Sequence, residues 1–151
     1  MNRFNIRIAT LSDLRELGEL FDGYRRFYLQ ASDIERARDF ISERMNRNDS
    51  WLLVAEQGES LIGFCQLYPS FSSTQMRRIA ILNDLYVSES SRAQGVGKAL
   101  MQAAEKLGRN LGLGHLELAT ATDNAKAQRL YEKMGWLRDT AFYYYGKSLD
   151  S

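Results

Sequence analysis

Two glycines, two residues apart, at the joint between an apolar strand and an amphipathic helix limit this chain more than any other feature. They stand in Arg92-Ala93-Gln94-Gly95-Val96-Gly97-Lys98. The stretch before them, about Arg78 to Val87, reads as a strand. After them Val96, Leu100, Ala103, Ala104 and Leu107 recur at helical spacing, and Gly108 marks the helix end. Glycine lets a backbone turn tightly without a Cβ clash. Successive N–H groups then face one concavity at a helix N-terminus, where the helix dipole adds positive potential. Such a nest binds phosphate, and Arg92 and Lys98 can add ionic contacts.

Three phosphate-binding patterns compete for this segment. A nucleoside-triphosphate loop needs a first glycine where Arg92 stands and a hydroxyl where Ala99 stands, so its magnesium ligand is missing. A dinucleotide fingerprint needs a third small residue where Leu100 stands. The pattern [RQ]-x-x-G-x-[GA] is met in full by Arg92 to Gly97.

The rest of the chain sets the architecture. Ile6 to Ala9 reads as a short strand. Thr10 or Ser12 caps a helix to about residue 29, with Asp13 and Glu16 in its first turn and Leu14, Leu17, Phe21, Tyr24 and Tyr28 as its stripe. A second helix spans about 33 to 46. Trp51 to Glu56 and Leu61 to Tyr68 form a hairpin around Gln57-Gly58-Glu59-Ser60. His115 to Thr120 is a further strand, and Asp123 or Asn124 caps a helix that Gly135 closes. Trp136 and Phe142-Tyr143-Tyr144-Tyr145 supply the last strands. This order predicts an α/β (mixed α+β) fold, a mixed sheet with helices on both faces. No linker or repeat divides the 151 residues, so a single domain over 1–151 is expected.

Charge and side-chain chemistry exclude several functions. The net charge of +1 gives no footprint for nucleic acid or a membrane surface. One cysteine, Cys65, rules out an internal disulfide, and its apolar run marks it as core. One histidine, His115, leaves no His-rich metal site, and no metal is expected. The N-terminus lacks an apolar leader, and no stretch approaches the ~18 apolar residues of a membrane span, so a cytoplasmic protein is expected.

The motif Arg92-Ala93-Gln94-Gly95-Val96-Gly97 resembles the pyrophosphate-binding signature of the GNAT superfamily of acyl-coenzyme A-dependent N-acetyltransferases. Asn83-Asp84-Leu85-Tyr86-Val87 resembles the strand that precedes it in that family. Asn124-x-x-Ala127-x-x-Leu130-Tyr131-x-x-x-Gly135-Trp136 is similar to the family's second hallmark. The resemblance covers nearly the whole chain. It implies a mostly antiparallel mixed sheet splayed between its fourth and fifth strands, with acetyl-coenzyme A as cofactor.

Carried over by position, Leu85, Tyr86 and Val87 would run beside the pantetheine arm, bonded through backbone groups of Leu85 and Val87. Arg92 and the loop Gln94, Gly95, Val96, Gly97 and Lys98 would hold the pyrophosphate. Asn124 would bond the arm. The Val87 N–H would donate to the acetyl oxygen and stabilise the negative charge it gains. Tyr131 matches the family's general acid. A phenol keeps its proton at neutral pH, so it can protonate a departing thiolate. Some polyamine acetyltransferases place a glutamate, proposed as base, where Asn83 stands here. Asp84 is the next candidate for base or substrate anchor, and Glu117 a weaker one; strand alternation sends Asn83 and Asp84 to opposite faces. Tyr24 and Tyr28, with Asn83 and Asp84, are the candidates to bind the acceptor, a stripe that also suits a core face. The function implied is acetyl transfer to a primary amine of a small molecule. The alternatives are a protein or peptide N-acetyltransferase and a non-catalytic acetyl-coenzyme A-binding module. The aromatic run near the C-terminus points to a homodimer.

Overall fold

The computed structural model describes residues 3–150. Contacts divide the chain into two compact units, one running to Ala119 and the other starting at Thr120.

The first unit holds β1 (Asn5–Ile8), α1 (Leu14–Phe27), α2 (Ile34–Arg47), β2 (Trp51–Gln57), β3 (Ser60–Ser72), β4 (Arg77–Val87), α3 (Val96–Asn110) and β5 (Leu116–Glu117). The sheet runs in sequence order, β1 to β5. Its pairs are antiparallel except β4 with β5, which is parallel. A mixed sheet with both kinds of neighbour is what the sequence predicts.

Alternation decides which helix covers which face. Leu52 and Val54 on β2 and Phe64 on β3 pack with Leu17, Leu20 and Phe21 of α1 and Ala37 and Ile41 of α2. Gly63 points to the opposite face, where a Cβ would meet Leu100 and Val96 of α3. Buried Val96, Leu100, Met101 and Ala104 make that helix's apolar stripe.

Local chemistry sets the ends of the elements. Asp33 caps α2 by accepting from the Arg36 N–H at 3.1 Å. α1 stops at Phe27, two residues before its expected end. There Leu29 turns left-handed (φ 63°), and the Gln30 N–H reaches back to the Arg25 carbonyl at 2.9 Å.

Two expectations fail. The strand expected over His115 to Thr120 is only Leu116–Glu117. Its partner β4 carries a bulge at Asn83: Gln66 pairs with Asp84 and Leu67 with Leu82, leaving Asn83 extra. A bulge bends its strand, so β4 turns away just beyond Ile81, the last residue that β5 pairs.

The last strands, expected at Trp136 and Phe142 to Tyr145, are absent: the second unit holds α4 (Ala125–Lys133) and irregular chain to residue 150. Aromatic composition alone does not make a strand without a neighbour to take its N–H and C=O groups.

Candidate acyl-transfer site

Beyond Ile81, the β5 side of β4 has no strand partner among the described residues. The pairing pattern shows which backbone groups point there. The Ser88 N–H donates to Ile62 at 2.9 Å, beside the pair Val87–Gly63. Val87 is therefore in a non-hydrogen-bonded pair, and two residues earlier so is Leu85, opposite Cys65. The N–H and C=O of both residues face the open edge. These are the two residues expected to bond a pantetheine arm. Tyr86 instead pairs with Phe64, and its ring lies between α1 and α3's approach loop, its hydroxyl against Gly23.

The glycine loop follows directly. Ala93 and Gly95 both take left-handed backbone, with φ of 64° and 81°. Left-handed residues alternating with ordinary ones turn successive N–H groups into one concavity. The N–H groups of Val96, Gly97 and Lys98 are the first-turn donors of α3, and no loop hydrogen bond from Gly95 to Lys98 uses them. Such a row of donors at a helix start fits a diphosphate.

Arg92 does a different job from the ionic one expected. Its Nε donates to the Val87 carbonyl at 3.0 Å, and its guanidinium lies 5.6 Å from the Tyr86 ring centre and 5.9 Å from that of Phe27. It ties the loop to the strand end and to α1.

Asp84 lies on the α1–α2 face of the sheet and is 2% exposed. Asp13 and Asp22, the other buried carboxylates, each have an arginine: Arg7 at 2.8 Å and Arg26 at 3.3 Å. Asp84 has no cationic partner among the described residues. Its Oδ2 accepts from Gln66 Nε2 at 2.6 Å and its Oδ1 from Asn83 Nδ2 at 2.9 Å. Asn83 and Asp84 thus share one cluster, not the opposite faces that alternation predicts, because the bulge interrupts the alternation.

Tyr24 joins this cluster, its hydroxyl donating to the Asn83 carbonyl at 3.1 Å. Burial, and then the Asp84 charge, hold the Tyr24 phenol far above its usual range. The same two causes push Tyr68 up to about 12 and hold the Cys65 thiol protonated. Tyr28 packs on Tyr24 with ring centres 5.1 Å apart, and is half exposed. Gln66 and Ser50, whose hydroxyl donates to Gln66 Oε1 at 2.9 Å, escaped the sequence analysis. The available signal was a lone polar residue inside the apolar run Leu61 to Leu67.

In the second unit Asn124 caps α4, its Oδ1 accepting from the Ala127 N–H at 3.2 Å. Tyr131 sits within that helix, its ring centre 6.5 Å from that of Trp136. Glu117 lies 3.6 Å from His115 on β5, both partly exposed, so neither joins the Asp84 cluster. Among the described residues no group of three or more His, Cys, Asp or Glu could hold a metal ion, and no helix is long and apolar enough to cross a membrane.

Comparison with known proteins agrees with this geometry. Residues 16–136 match the profile of the Acetyltransferase (GNAT) family. An uncharacterised N-acetyltransferase of Bacillus subtilis, YhfO, is 45% identical over 141 residues, 93% of this chain and 95% of that protein. The crystal structure of a probable acetyltransferase superposes with a TM-score of 0.90 at 40% identity, covering 97% of this chain and 99% of that one. The yeast D-amino-acid N-acetyltransferase HPA3 is 32% identical over 88 residues, 58% of this chain and 54% of that protein.

Proposed function

The chain belongs to the GNAT family of acetyltransferases, and on that premise we propose that it moves an acetyl group from acetyl-coenzyme A directly to a primary amine of a small molecule. The observation that carries the acceptor class is Asp84. A buried carboxylate with no cation beside it is costly, and an alkylammonium would supply the missing charge. Tyr24 and Tyr28 offer ring faces to the same cation. The relative HPA3, named for D-amino-acid acetylation, supports a small amine.

Acetyl-coenzyme A brings the acetyl carbonyl and a thiol leaving group. The N–H row of Gln94 to Lys98 holds the diphosphate. The open-edge groups of Leu85 and Val87 align the pantetheine arm as an added strand, and Asn124 bonds it further along. Asp84 receives the ammonium and takes its proton, directly or through water. The amine nitrogen then bonds to the carbonyl carbon as the carbon–sulfur bond breaks. The Val87 N–H donates to the carbonyl oxygen as negative charge develops on it. Tyr131 gives its phenolic proton to the sulfur; the second proton of the amine nitrogen restores the Tyr131 phenol through water, and Asp84 releases its proton to solvent. The products are an N-acetyl amide and the free thiol, and Cys65, buried and protonated, takes no part. We further propose that the protein works as a homodimer.

Thiol release measured over a panel of diamines, amino acids and peptides tests this reading. Small primary amines are expected to turn over with higher kcat/KM than peptides. Tyr131→Phe is expected to lower kcat by ~10²–10⁴-fold with acetyl-coenzyme A affinity retained. Better use of peptides would make the protein a peptide acetyltransferase. Cofactor binding without turnover of any amine would make it a binding module.

A further inference from the structure

The transfer reaction leaves one fully buried polar side chain unused. Gln66 is 0% exposed and stands opposite Asp84 in the β3–β4 register. A leucine would fill the same space without the cost of burying an amide. The amide is held at both ends. The Asp84 carboxylate can only accept, so the group 2.6 Å from its Oδ2 is the Gln66 NH2. Gln66 Oε1 then faces Ser50, whose hydroxyl donates to it at 2.9 Å. Reversing the amide would set two acceptors against each other and strand the Ser50 proton.

The other groups around Asp84 cannot take over this job. Tyr24 approaches from α1, and Cys65 and Tyr68 lie on β3; all three keep their protons and are uncharged. Arg44 and Asp49 bear on Tyr68, and neither has a hydrogen bond or ion pair with Asp84. Asn83 donates to the other carboxylate oxygen from an exposed position.

We infer that Gln66, oriented by Ser50, is a positioning residue for the acceptor site: its amide fixes the Asp84 carboxylate in the one orientation that receives the ammonium. The inference rests on the reading of Asp84 as the acceptor's partner. Ser50 lies half-buried at the end of the row, so the row can be weakened from the outside without opening the core.

The test is the separation of kcat from KM for the best amine, measured for the wild type, Gln66→Leu, Gln66→Glu, Ser50→Ala and Asp84→Asn. Gln66→Leu is expected to lose about ten-fold in kcat/KM, mostly through the amine KM. Ser50→Ala should raise the amine KM in the same way by less, about three-fold. Gln66→Glu should raise it furthest, because an acceptor then faces the Asp84 carboxylate where a donor stood. The KM for acetyl-coenzyme A should stay unchanged in all three.

Reduced activity in Gln66→Leu with the amine KM unmoved would make Gln66 a packing residue and overturn the inference. If Gln66→Leu does not fold, Ser50→Ala decides: an unmoved amine KM there overturns the inference as well. Wild-type kcat/KM in Asp84→Asn would instead bring down the reading of Asp84 itself, a result that involves neither Gln66 nor Ser50.

Discussion

Asp13 joins charge to fold at a single residue. It is 8% exposed, and both its oxygens accept from Arg7 at 2.8 Å. Arg7 also reaches Glu56 at 2.8 Å, and the Thr10 N–H donates to Asp13 at 2.7 Å. Arg7 thus fastens β1 to β2 through Glu56 and to the start of α1 through Asp13. The Arg7 hydrogen bonds hold its pKa below the ordinary 3.8, against burial, which raises it. A lowered folded-state pKa stabilises the protein above the unfolded value, and that stability is lost as pH falls through the folded value. Asp13→Asn is therefore expected to cost about 1.5–3 kcal/mol at pH 7. The gap to wild type should close only below pH 3.8. Urea unfolding of both proteins at pH 7 and at pH 3 or lower checks this, and a gap independent of pH would refute it. The sequence marks Asp13 as a first-turn acid, but its partner Arg7 lies 6 residues away and Arg7's other partner, Glu56, lies 49 from Arg7. The pairing of Asp84 with Gln66 was hidden the same way: 18 residues apart in sequence, they meet only once β3 and β4 pair.

At the scale of elements, the glycine loop separates two glycines that look alike in sequence. Gly95 has φ of 81°, a conformation that an L side chain adopts only with strain, whatever the surrounding space. Gly97 has ordinary backbone, and a Cβ there would meet only Val87 Cγ2 at 3.9 Å, an ordinary contact. Gly95→Ala is thus expected to cost roughly 1–2 kcal/mol and to weaken acetyl-coenzyme A binding as the nest distorts. Gly97→Ala should leave both nearly unchanged, as the family pattern, with glycine or alanine at this place, implies. Thermal unfolding and a binding isotherm for each variant decide, and equal losses at both positions would show that loop geometry is not what Gly95 supplies. The loop was legible because its conformational demands are local, written in residue types. The bulge at Asn83 was not, since a bulge is a mismatch between two strands and neither strand's sequence records the other. Strand lengths failed for the same reason: β5 ends where β4 bends away, not where its own apolar residues stop.

At the scale of the whole molecule, the aromatic run at the C-terminus is the unresolved demand. Phe142, Tyr143, Tyr144 and Tyr145 are 75, 90, 84 and 94% exposed, with Leu149 at 92%. Their sequence reads as strand, yet among the described residues no strand pairs with them. Contiguous apolar surface of this kind marks association in water-exposed proteins, and unpaired N–H and C=O groups along an extended segment are a template for another strand. A second copy of the chain would supply both an apolar surface and backbone partners. The fold of one chain was largely readable from its own periodicities, whereas a strand also needs a neighbour, and the aromatic run alone does not name one. Light scattering on the eluting protein is expected to give about twice the 17.3 kDa of one chain. Replacing Tyr143 and Tyr145 by glutamate should return it to 17.3 kDa, because burying two unpaired carboxylates at an interface costs more than the rings contribute. Far-UV circular dichroism of the variant should show the α-helices retained, which separates lost association from lost folding. A wild-type protein that elutes as one chain at the highest concentration measured would remove the homodimer and leave the aromatic run without an assigned partner.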